Sequence, residues 1–482
     1  MAKVSRVLVA NRGEIALRVM RTCREMGIST VAVYAEPDAR TPHVYFADER
    51  VALSGSSPRQ AYLDIAQLIR LARERAADAI HPGYGFLSEN AAFADACRKA
   101  GLTFIGPGAD SMRAMGDKVE ARRRMIAAGV PVVPGSDALK DDSAALTAAE
   151  RIGYPVLVKA AAGGGGIGMR VAQNRDELPA AFEACRRAAE TSFASPDVYI
   201  ESYLKHPRHI EMQVMADAQG NTLALGERDC SIQRRHQKLL EETPAPGLAD
   251  ELRSVMKEAA VRAASAVSYQ NAGTIEFIVA GGKFYFLEMN TRLQVEHPVT
   301  EAVLGVDLVR WQIEIARGES LPAAGFGQPR GHAIEFRINA EDPLRNFMPA
   351  PRRVIRYAPP TGPGVRVDAG IRPHQDVSPH FDSLLGKLIV FAEDRAATID
   401  RGKRALQEFV LTGPRTTIPF HRAILEETDF REGRISTGFI PDHPGLMDRA
   451  RNFASESSPM EPLYGGGELA AAIAAGMVVA EG

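Results

Sequence analysis

Cysteine is scarce in this chain. Its four residues (Cys23, Cys97, Cys185 and Cys230) stand far apart in a sequence of 482, with no CxxC pair. A disulfide framework is therefore not encoded, and reduced, half-buried thiols of a cytoplasmic protein are expected. An excess of charge of one sign is also missing. The 58 basic residues nearly balance the 60 acidic ones, which removes the electrostatic case for nucleic acid or an acidic membrane surface as partner. No apolar run reaches the ~20 residues that a membrane span requires. The N-terminus enters a strand at once, without a signal peptide. Internal repeats are lacking as well. A chain this long exceeds one hydrophobic core, so roughly two to four domains are expected.

The densest chemistry lies in residues 274–297, TIEFIVAGGKFYFLEMNTRLQVEH. Two apolar strands, 275–279 and 284–289, flank Gly281-Gly282, the pattern of a β-hairpin. Each strand sets a carboxylate, Glu276 or Glu288, among residues that favour burial. A buried carboxylate is costly unless it is paired, hydrogen-bonded or metal-bound. Strand side chains alternate faces, so Glu288 and Asn290 point the same way. A three-residue loop pairs Ala280 with Phe284 and Glu276 with Glu288, which adds Glu276 to that face. A two-residue turn shifts the register by one and separates the glutamates. Three hard oxygen ligands on one surface suit Mg²⁺, which completes its shell with water and phosphate.

Beyond the hairpin, Arg292, Gln294 and Glu296 continue the even-numbered polar series. Fully extended, residues 288 to 296 would span ~26 Å at ~3.3 Å per residue, so the chain must bend after Asn290 if these groups are to meet. A metal clamp beside an arginine, an amide and a carboxylate predicts a site that handles an anion next to ATP phosphates. The competing reading is an edge strand with a solvated polar face.

The first hundred residues alternate short apolar runs (6–10, 30–34, 79–80) with helical spacing (Ile15, Val19, Cys23; residues 65–76), which predicts a parallel sheet with crossover helices. Asn11-Arg12-Gly13-Glu14 occupies the first strand-to-helix turn, a common ligand position, though it lacks GxGxxG. Residues 130–135 form a proline-punctuated connector. A strand over 155–160 then carries Lys159 into the glycines at 163–166 and 168. Successive glycines pack nothing and cost backbone entropy. They suit a place where backbone N–H groups close over phosphates and a lysine supplies point charge. The run is not GxxxxGK[ST], so it is no P-loop; a mobile lid is expected, the alternative being a flexible linker. A third cluster, 227–238, gathers Arg228, Arg234, Arg235, His236 and Lys238, either as a solvated face or as contacts for a triphosphate or another anion. The spacing of His209 and His236 indicates no zinc site.

Taken in order, VANRGEIALR (9–18), HPGYGFLSEN (81–90), MGDK (115–118), GGGGIGMR (163–170), ERDCSIQRRHQK (227–238), EMNTRLQVEHPVTE (288–301), EFRINAED (335–342) and FDSLLGKLI (381–389) resemble the biotin carboxylase component of biotin-dependent acyl-CoA and pyruvate carboxylases, over residues 4 to 445. The resemblance implies fold class α/β (α+β): an ATP-grasp fold with an N-terminal Rossmann-like parallel-sheet domain, a mobile glycine-rich lid subdomain and a C-terminal mixed α+β domain. It implies a division into an N-terminal domain (1–115), a helical connector (116–130), the lid (131–204), the catalytic core (205–330), a C-terminal domain (331–446) and a flexible or partner-docking tail (447–482).

The activity implied is carboxylation of carrier-bound biotin by bicarbonate through carboxyphosphate, the first half-reaction of an acyl-CoA carboxylase, with ATP and Mg²⁺ (or Mn²⁺) as cofactors. By resemblance, Lys118, Lys159, Gly164, Gly165, Gly166, His209, Gln233 and His236 contact ATP, with Glu201 and Leu204 at the adenine pocket. Glu276, Glu288 and Asn290 bind the metal, and the two glutamates also face ATP. Lys238, Arg292, Gln294 and Val295 form the bicarbonate pocket, Glu296 is the general base, Arg337 steadies the biotin enolate, and Tyr84 lies close to biotin. Arg18, Arg21, Glu25 and Arg366 resemble residues at or near a homodimer contact.

These residue types fit the chemistry. Bicarbonate becomes a nucleophile when a base takes its proton, which suits Glu296 if Arg292 tunes its pKa. Charge developing at the γ-phosphoryl group is met by Mg²⁺, Lys238 and the glycine lid. Three positions depart from the family pattern: Ile167 for a basic residue, Ala162 for glycine and Ser202 for lysine. They imply altered ATP affinity rather than a dead site.

Multidomain relatives carry an AMKM-type biotinyl lysine, and this sequence has none. The resemblance therefore implies that biotin arrives on a biotin carboxyl carrier protein and leaves to a carboxyltransferase on other chains, unless the sequence is a fragment. Residues 469–479 within the glycine- and alanine-rich tail offer a short partner-docking helix, the alternative being a floppy terminus. Deleting residues 455–482 is expected to leave carboxylation of free biotin intact, as a free-biotin assay of the truncated chain would show. The rival functions are another ATP-grasp carboxylate–amine ligase and a non-catalytic, regulatory ATP-binding protein.

Overall fold

The computed structural model describes residues 3–161, 169–193, 195–456 and 458–460. Five parallel strands open the chain, in the spatial order Glu49–Ala52, Ser29–Tyr34, Arg6–Val9, Ala79–His81, Thr103–Phe104. Neighbouring residues of the first strand enter different cores: Val7 and Val9 pack on one face, Leu8 and Ala10 on the other. A sheet buried on both faces explains runs that are apolar throughout rather than alternating. Strand order reverses between Arg6–Val9 and Ala79–His81. There Asn11 Nδ2 donates to the carbonyls of Pro82 and Tyr84, both at 2.7 Å, and joins the two turns.

Helix Lys118–Ala127 leads to a small antiparallel sheet, Met169–Ala172, Val156–Ala160 and Val198–Ser202. Helices Asp142–Ile152 and Leu178–Phe193 back it through Ala149, Phe182, Cys185 and Ile200. All four cysteines of the chain are free thiols, and they are buried rather than half-buried. Gly164, Gly165, Gly166, Ala162 and Ile167, with the lid loop expected of them, lie outside the described residues, as do the docking segment 469–479 and the rest of the tail from 461.

The third unit is an eight-stranded sheet, in the order Lys283–Asn290, Asn271–Ala280, Arg208–Ala216, Thr222–Arg234, Gln237–Thr243, His332–Asn339, Leu384–Ala392, Val365–Ala369. It runs unbroken across residue 330, because 240–243 pair with 333–336. Alternation sorts its faces. Ile210, Met212, Ile275 and Phe277 pack against helix Asp250–Ser265, and Ile334, Phe336, Leu388 and Val390 pack against helices Arg395–Glu408 and Ile418–Glu426. The residues between them face the other way: Glu211, Gln213, Thr274, Glu276, Glu335, Arg337 and Lys387. Helix His297–Leu304 covers part of that second face through Val299 and Val303 against Ala333 and Ile389. The rest of it is polar, mostly charged, yet nearly all buried.

Glu242, on the helix side, ties this sheet together. It accepts from His332 Nε2 at 2.8 Å and from Arg395 at 2.6 and 3.0 Å. Burial opposes its ionisation, but His332 and Arg395 outweigh burial and bring the carboxyl down from 4.5 to about 2. A carboxyl depressed on folding contributes stability that is present above its unfolded value and lost as pH falls towards its folded one. Glu242→Gln is therefore expected to flatten the loss of stability between pH 4.5 and 2, measured as denaturant midpoints across that window.

Candidate active site

The hairpin register combines the two turns considered from the sequence. The loop is Gly281-Gly282, with φ of 56° and 71° and Ala280 opposite Lys283, the two-residue turn that needs left-handed residues at both positions. Phe277 still faces Phe286, but Glu276 faces Glu288. Leu287 is thus an extra residue, a β-bulge that restores the pairing the tight turn would have broken. On its other side Glu276 is level with Glu211. Three carboxylates line up across adjacent strands, an arrangement that is repulsive unless cations lie among them.

Lys238 supplies the central cation. Its Nζ donates to Glu211 Oε2 at 2.6 Å, Glu276 Oε1 at 2.8 Å and Glu296 Oε1 at 2.8 Å. Burial would weaken the ammonium, yet the three carboxylates raise its pKa well above the ordinary lysine value. Asn290 and Gln294 also donate to Glu276 Oε1, at 2.8 and 2.9 Å, and His209 Nε2 lies 2.9 Å from Glu276 Oε2. Burial alone would raise the Glu276 carboxyl; Lys238 and His209 hold it well below the usual range. Glu288 differs: burial and the neighbouring Glu276 push it up, with Lys118 opposing. A carboxylate unsettled by another at its side is relieved by a shared cation, so Glu276, Glu288 and the Asn290 carboxamide fit a hard divalent ion.

The bend after Asn290 brings the later residues in. Glu296 immediately precedes helix His297–Leu304 and is almost wholly buried. Burial disfavours its charge, but Lys238, Arg337 and Arg228 hold the carboxyl well below 4.5. Arg337 Nη2 donates to Glu296 Oε2 at 2.9 Å, and its Nε to Glu241 at 2.6 Å. Arg292, expected to tune Glu296, lies close enough for the Glu296 charge to act on it, but the hydrogen-bonded partners of Glu296 are Lys238 and Arg337. Arg292 is turned to Glu89, at 2.9 Å, and to Asn290 Oδ1, at 3.0 Å. The reason is topological, since Glu89 comes from the turn that follows strand Ala79–His81 of the N-terminal unit.

The residues assigned to ATP surround this row. Lys159 donates to Glu201 at 3.0 Å, and Arg122 reaches the same carboxylate at 3.4 Å. Leu204 is half-buried, and Ser202 ends the adjacent strand. Lys118 begins helix Lys118–Ala127, where Glu288 opposes the lowering of its pKa by burial. Gln233 is buried opposite Lys238. His236 is exposed at the next hairpin tip, where it and Arg235 hold φ of 67° and 49°. Left-handed backbone at two non-glycine residues is strained and is most often retained at functional sites. Tyr84 donates to Glu14, and the Val295 carbonyl accepts from Lys387 Nζ at 2.7 Å.

Several contributors escape sequence reasoning. Arg228, fully buried, donates to Glu211, Gln213, Thr300, Thr274 and Gln294 within 3.1 Å. Glu211 and Gln213 were detectable as polar residues alternating with Ile210, Met212 and Val214. Glu89 and Lys387 lie within the motifs HPGYGFLSEN and FDSLLGKLI, but nothing in those motifs assigns either to this site, and Glu241 carries no local signal.

A lysine-bearing three-stranded unit beside an antiparallel sheet, whose buried polar face gathers carboxylates around a lysine, defines the chain as an ATP-grasp ligase. Three family models match: "Biotin carboxylase, N-terminal domain" over residues 3–112, "Carbamoyl-phosphate synthase L chain, ATP binding domain" over 117–324 and "Biotin carboxylase C-terminal domain" over 335–442. The biotin carboxylase of Nostoc sp. is 52% identical over 91% of this chain and 99% of its own length. Biotin carboxylase 1 of Bacillus subtilis is 50% identical over 91% and 98%. Among solved structures, the biotin carboxylase domain dimer of Hydrogenobacter thermophilus 2-oxoglutarate carboxylase, in complex with MgADP, ADP and bicarbonate, superposes with a TM-score of 0.89 at 47% identity, over 92% of this chain and 98% of that one. The chain belongs to the biotin carboxylase family.

Proposed function

We propose that this chain carboxylates biotin held on a separate carrier protein, using MgATP and bicarbonate, with the residues above in the following roles. Lys159, Lys118, His209, Gln233 and His236 bind and orient ATP, with Glu201 and Leu204 beside the adenine. Glu276, Glu288 and Asn290 hold Mg²⁺ or Mn²⁺, which screens the phosphates and polarises the γ-phosphoryl group. Arg292, Gln294, Val295 and Lys238 hold bicarbonate, and Glu296 takes its proton as the oxygen attacks the γ-phosphorus and ADP leaves. Carboxyphosphate then releases CO₂ and phosphate, phosphate takes the ureido proton of biotin, and the ureido nitrogen attacks CO₂ to give carboxybiotin. Arg337 offsets the enolate charge and Tyr84 borders the ring.

The observation that carries this reading is Lys238. One ammonium bridges the metal-side carboxylate Glu276 and the base Glu296, so the two halves of a phosphoryl transfer share a counter-charge. Preorganised charge of this kind is usually the largest catalytic term. The test is phosphate release and labelled-bicarbonate incorporation with free biotin. Turnover requiring both bicarbonate and biotin supports the reading; turnover with a carboxylate and an amine in their place overturns it.

The same reading includes a biotin carboxyl carrier protein and a carboxyltransferase on other chains, a cytoplasmic location and a homodimer. Arg21 and Glu25 are exposed on helix Gly13–Glu25, available to a second copy. Arg18 is instead buried, paired with Glu301 at 2.6 Å and Asp307 at 2.8 Å, and Arg366 also pairs with Glu301, at 2.8 Å. No helix among the described residues is long and apolar enough to cross a membrane.

A further inference from the structure

Behind the base lies a lysine with no part in the mechanism above. Lys387 is fully buried in strand Leu384–Ala392. An ammonium taken wholly out of water is expensive and persists only where its partners are built around it. Lys387 also stands directly opposite Arg337 on the neighbouring strand. Like charges facing one another across a strand pair destabilise it, so both cations sit at a cost where an apolar pair would serve the sheet better.

Their partners explain the placement. Arg337 holds the Glu296 side chain, while Lys387 Nζ donates to the carbonyl of Val295 at 2.7 Å. Two adjacent cross-strand positions therefore grip two consecutive residues of the anion loop, one through a carboxylate and one through the backbone. The carbonyl of Val295 belongs to the peptide that joins it to Glu296. Pinning that peptide plane sets the direction in which the Glu296 side chain leaves the backbone.

The counter-charge comes from the other side of the site. Lys387 Nζ lies 3.2 Å from Glu14 Oε1, the oxygen that also accepts from the Tyr84 hydroxyl, and 5.9 Å from the centre of the Tyr84 ring. Asp368 on the edge strand Val365–Ala369, on the other side of Lys387 from Arg337, is also level with it. Glu335, two residues before Arg337 and on the same face, is buried with neither carboxylate oxygen hydrogen-bonded among the described residues.

We propose that Lys387 is a positioning residue for bicarbonate activation, fixing the Val295–Glu296 peptide from the C-terminal part of the sheet, with Glu14 as its counter-charge. The proposal rests on the reading of Glu296 as the base. It predicts a split in kinetics that a general loss of packing would not give, because the ATP-assigned residues lie on other strands and helices.

The test compares wild type with Lys387→Met and with the double variant Lys387→Met/Glu14→Gln, which removes the Glu14 charge together with the lysine that it faces should the single variant fold poorly. Bicarbonate- and biotin-dependent phosphate release is measured over bicarbonate and ATP concentrations. The expected result in whichever variant folds is a rise of about ten-fold or more in KM for bicarbonate with a fall in kcat, and KM for ATP within about two-fold of wild type. An unchanged bicarbonate KM, or equal rises for both substrates, overturns the proposal. A wild type with no bicarbonate-dependent turnover overturns the functional reading instead, and the two failures are distinguishable.

Discussion

Glu296→Gln is expected to lower bicarbonate-dependent turnover by about 10²- to 10⁴-fold, the range that a positioned general base contributes, while leaving ATP affinity within about two-fold. The substitution keeps shape and removes the proton acceptor, and with it one of the two oxygens that accept from Lys238 and Arg337. Lys238 retains Glu211 and Glu276, and Arg337 retains Glu241, so no buried cation is left without a carboxylate. Loss of activity would then reflect chemistry rather than unfolding, which a thermal melt run alongside checks. The pKa direction gives a second readout. Because Lys238, Arg337 and Arg228 hold Glu296 well below 4.5 against the effect of burial, it stays ionised until pH falls through that lowered value. Any acid limb due to this group lies below pH 4.5. Near-wild-type turnover in the variant would refute the assignment.

The second large effect concerns stability. Arg228→Met is expected to cost roughly 3 to 5 kcal/mol, the penalty for removing one partner of a buried ion pair. Arg228 makes hydrogen bonds to residues of three other segments, on strands 208–216 and 271–280 and in the stretch from Gln294 to Thr300. Without it Gln294 loses the donor to its Oε1, although its Nε2 still reaches Glu276, so bicarbonate affinity should fall together with stability. Adding Glu211→Gln removes the carboxylate that Arg228 neutralised and should restore part of the stability without restoring turnover. Thermal and denaturant unfolding measure the first effect, and bicarbonate titration the second. An unchanged unfolding midpoint would show that Arg228 is not the centre of this network.

Both predictions rest on side chains that the sequence reveals unequally. Glu276, Glu288 and Asn290 were legible because a carboxylate among strand residues contradicts its surroundings, and period-two alternation assigns a face. The expected turn was only half of the answer. Gly281-Gly282 forms the two-residue loop that alone would have separated the glutamates, and the bulge at Leu287 realigns them. Nothing in the local pattern marks Leu287, since a bulge is selected by what the strand must meet. Lys238 stands out within a basic cluster, yet Arg228 from the same cluster points into the interior and Arg235 to solvent.

Arg292 shows the limit most directly. Its strand position suggests a neighbour of Glu296, but its carboxylate partner is Glu89, 203 residues earlier. Lys387 and Glu14 are separated by most of the chain's length, and each alone looks like an unremarkable polar residue beside a turn or within a strand.

By itself the order of residues determined the α/β alternation, the apolar faces of strands and helices, and the presence of carboxylates where only a cation would make them tolerable. Those properties depend on neighbours within a few positions, where backbone periodicity is enough. Which strands lie side by side, and therefore which cation meets which anion, was decided by the closing of one eight-stranded sheet from segments hundreds of residues apart. Charge pairing acts over a few ångströms of space, and the chain acquires those distances only on folding.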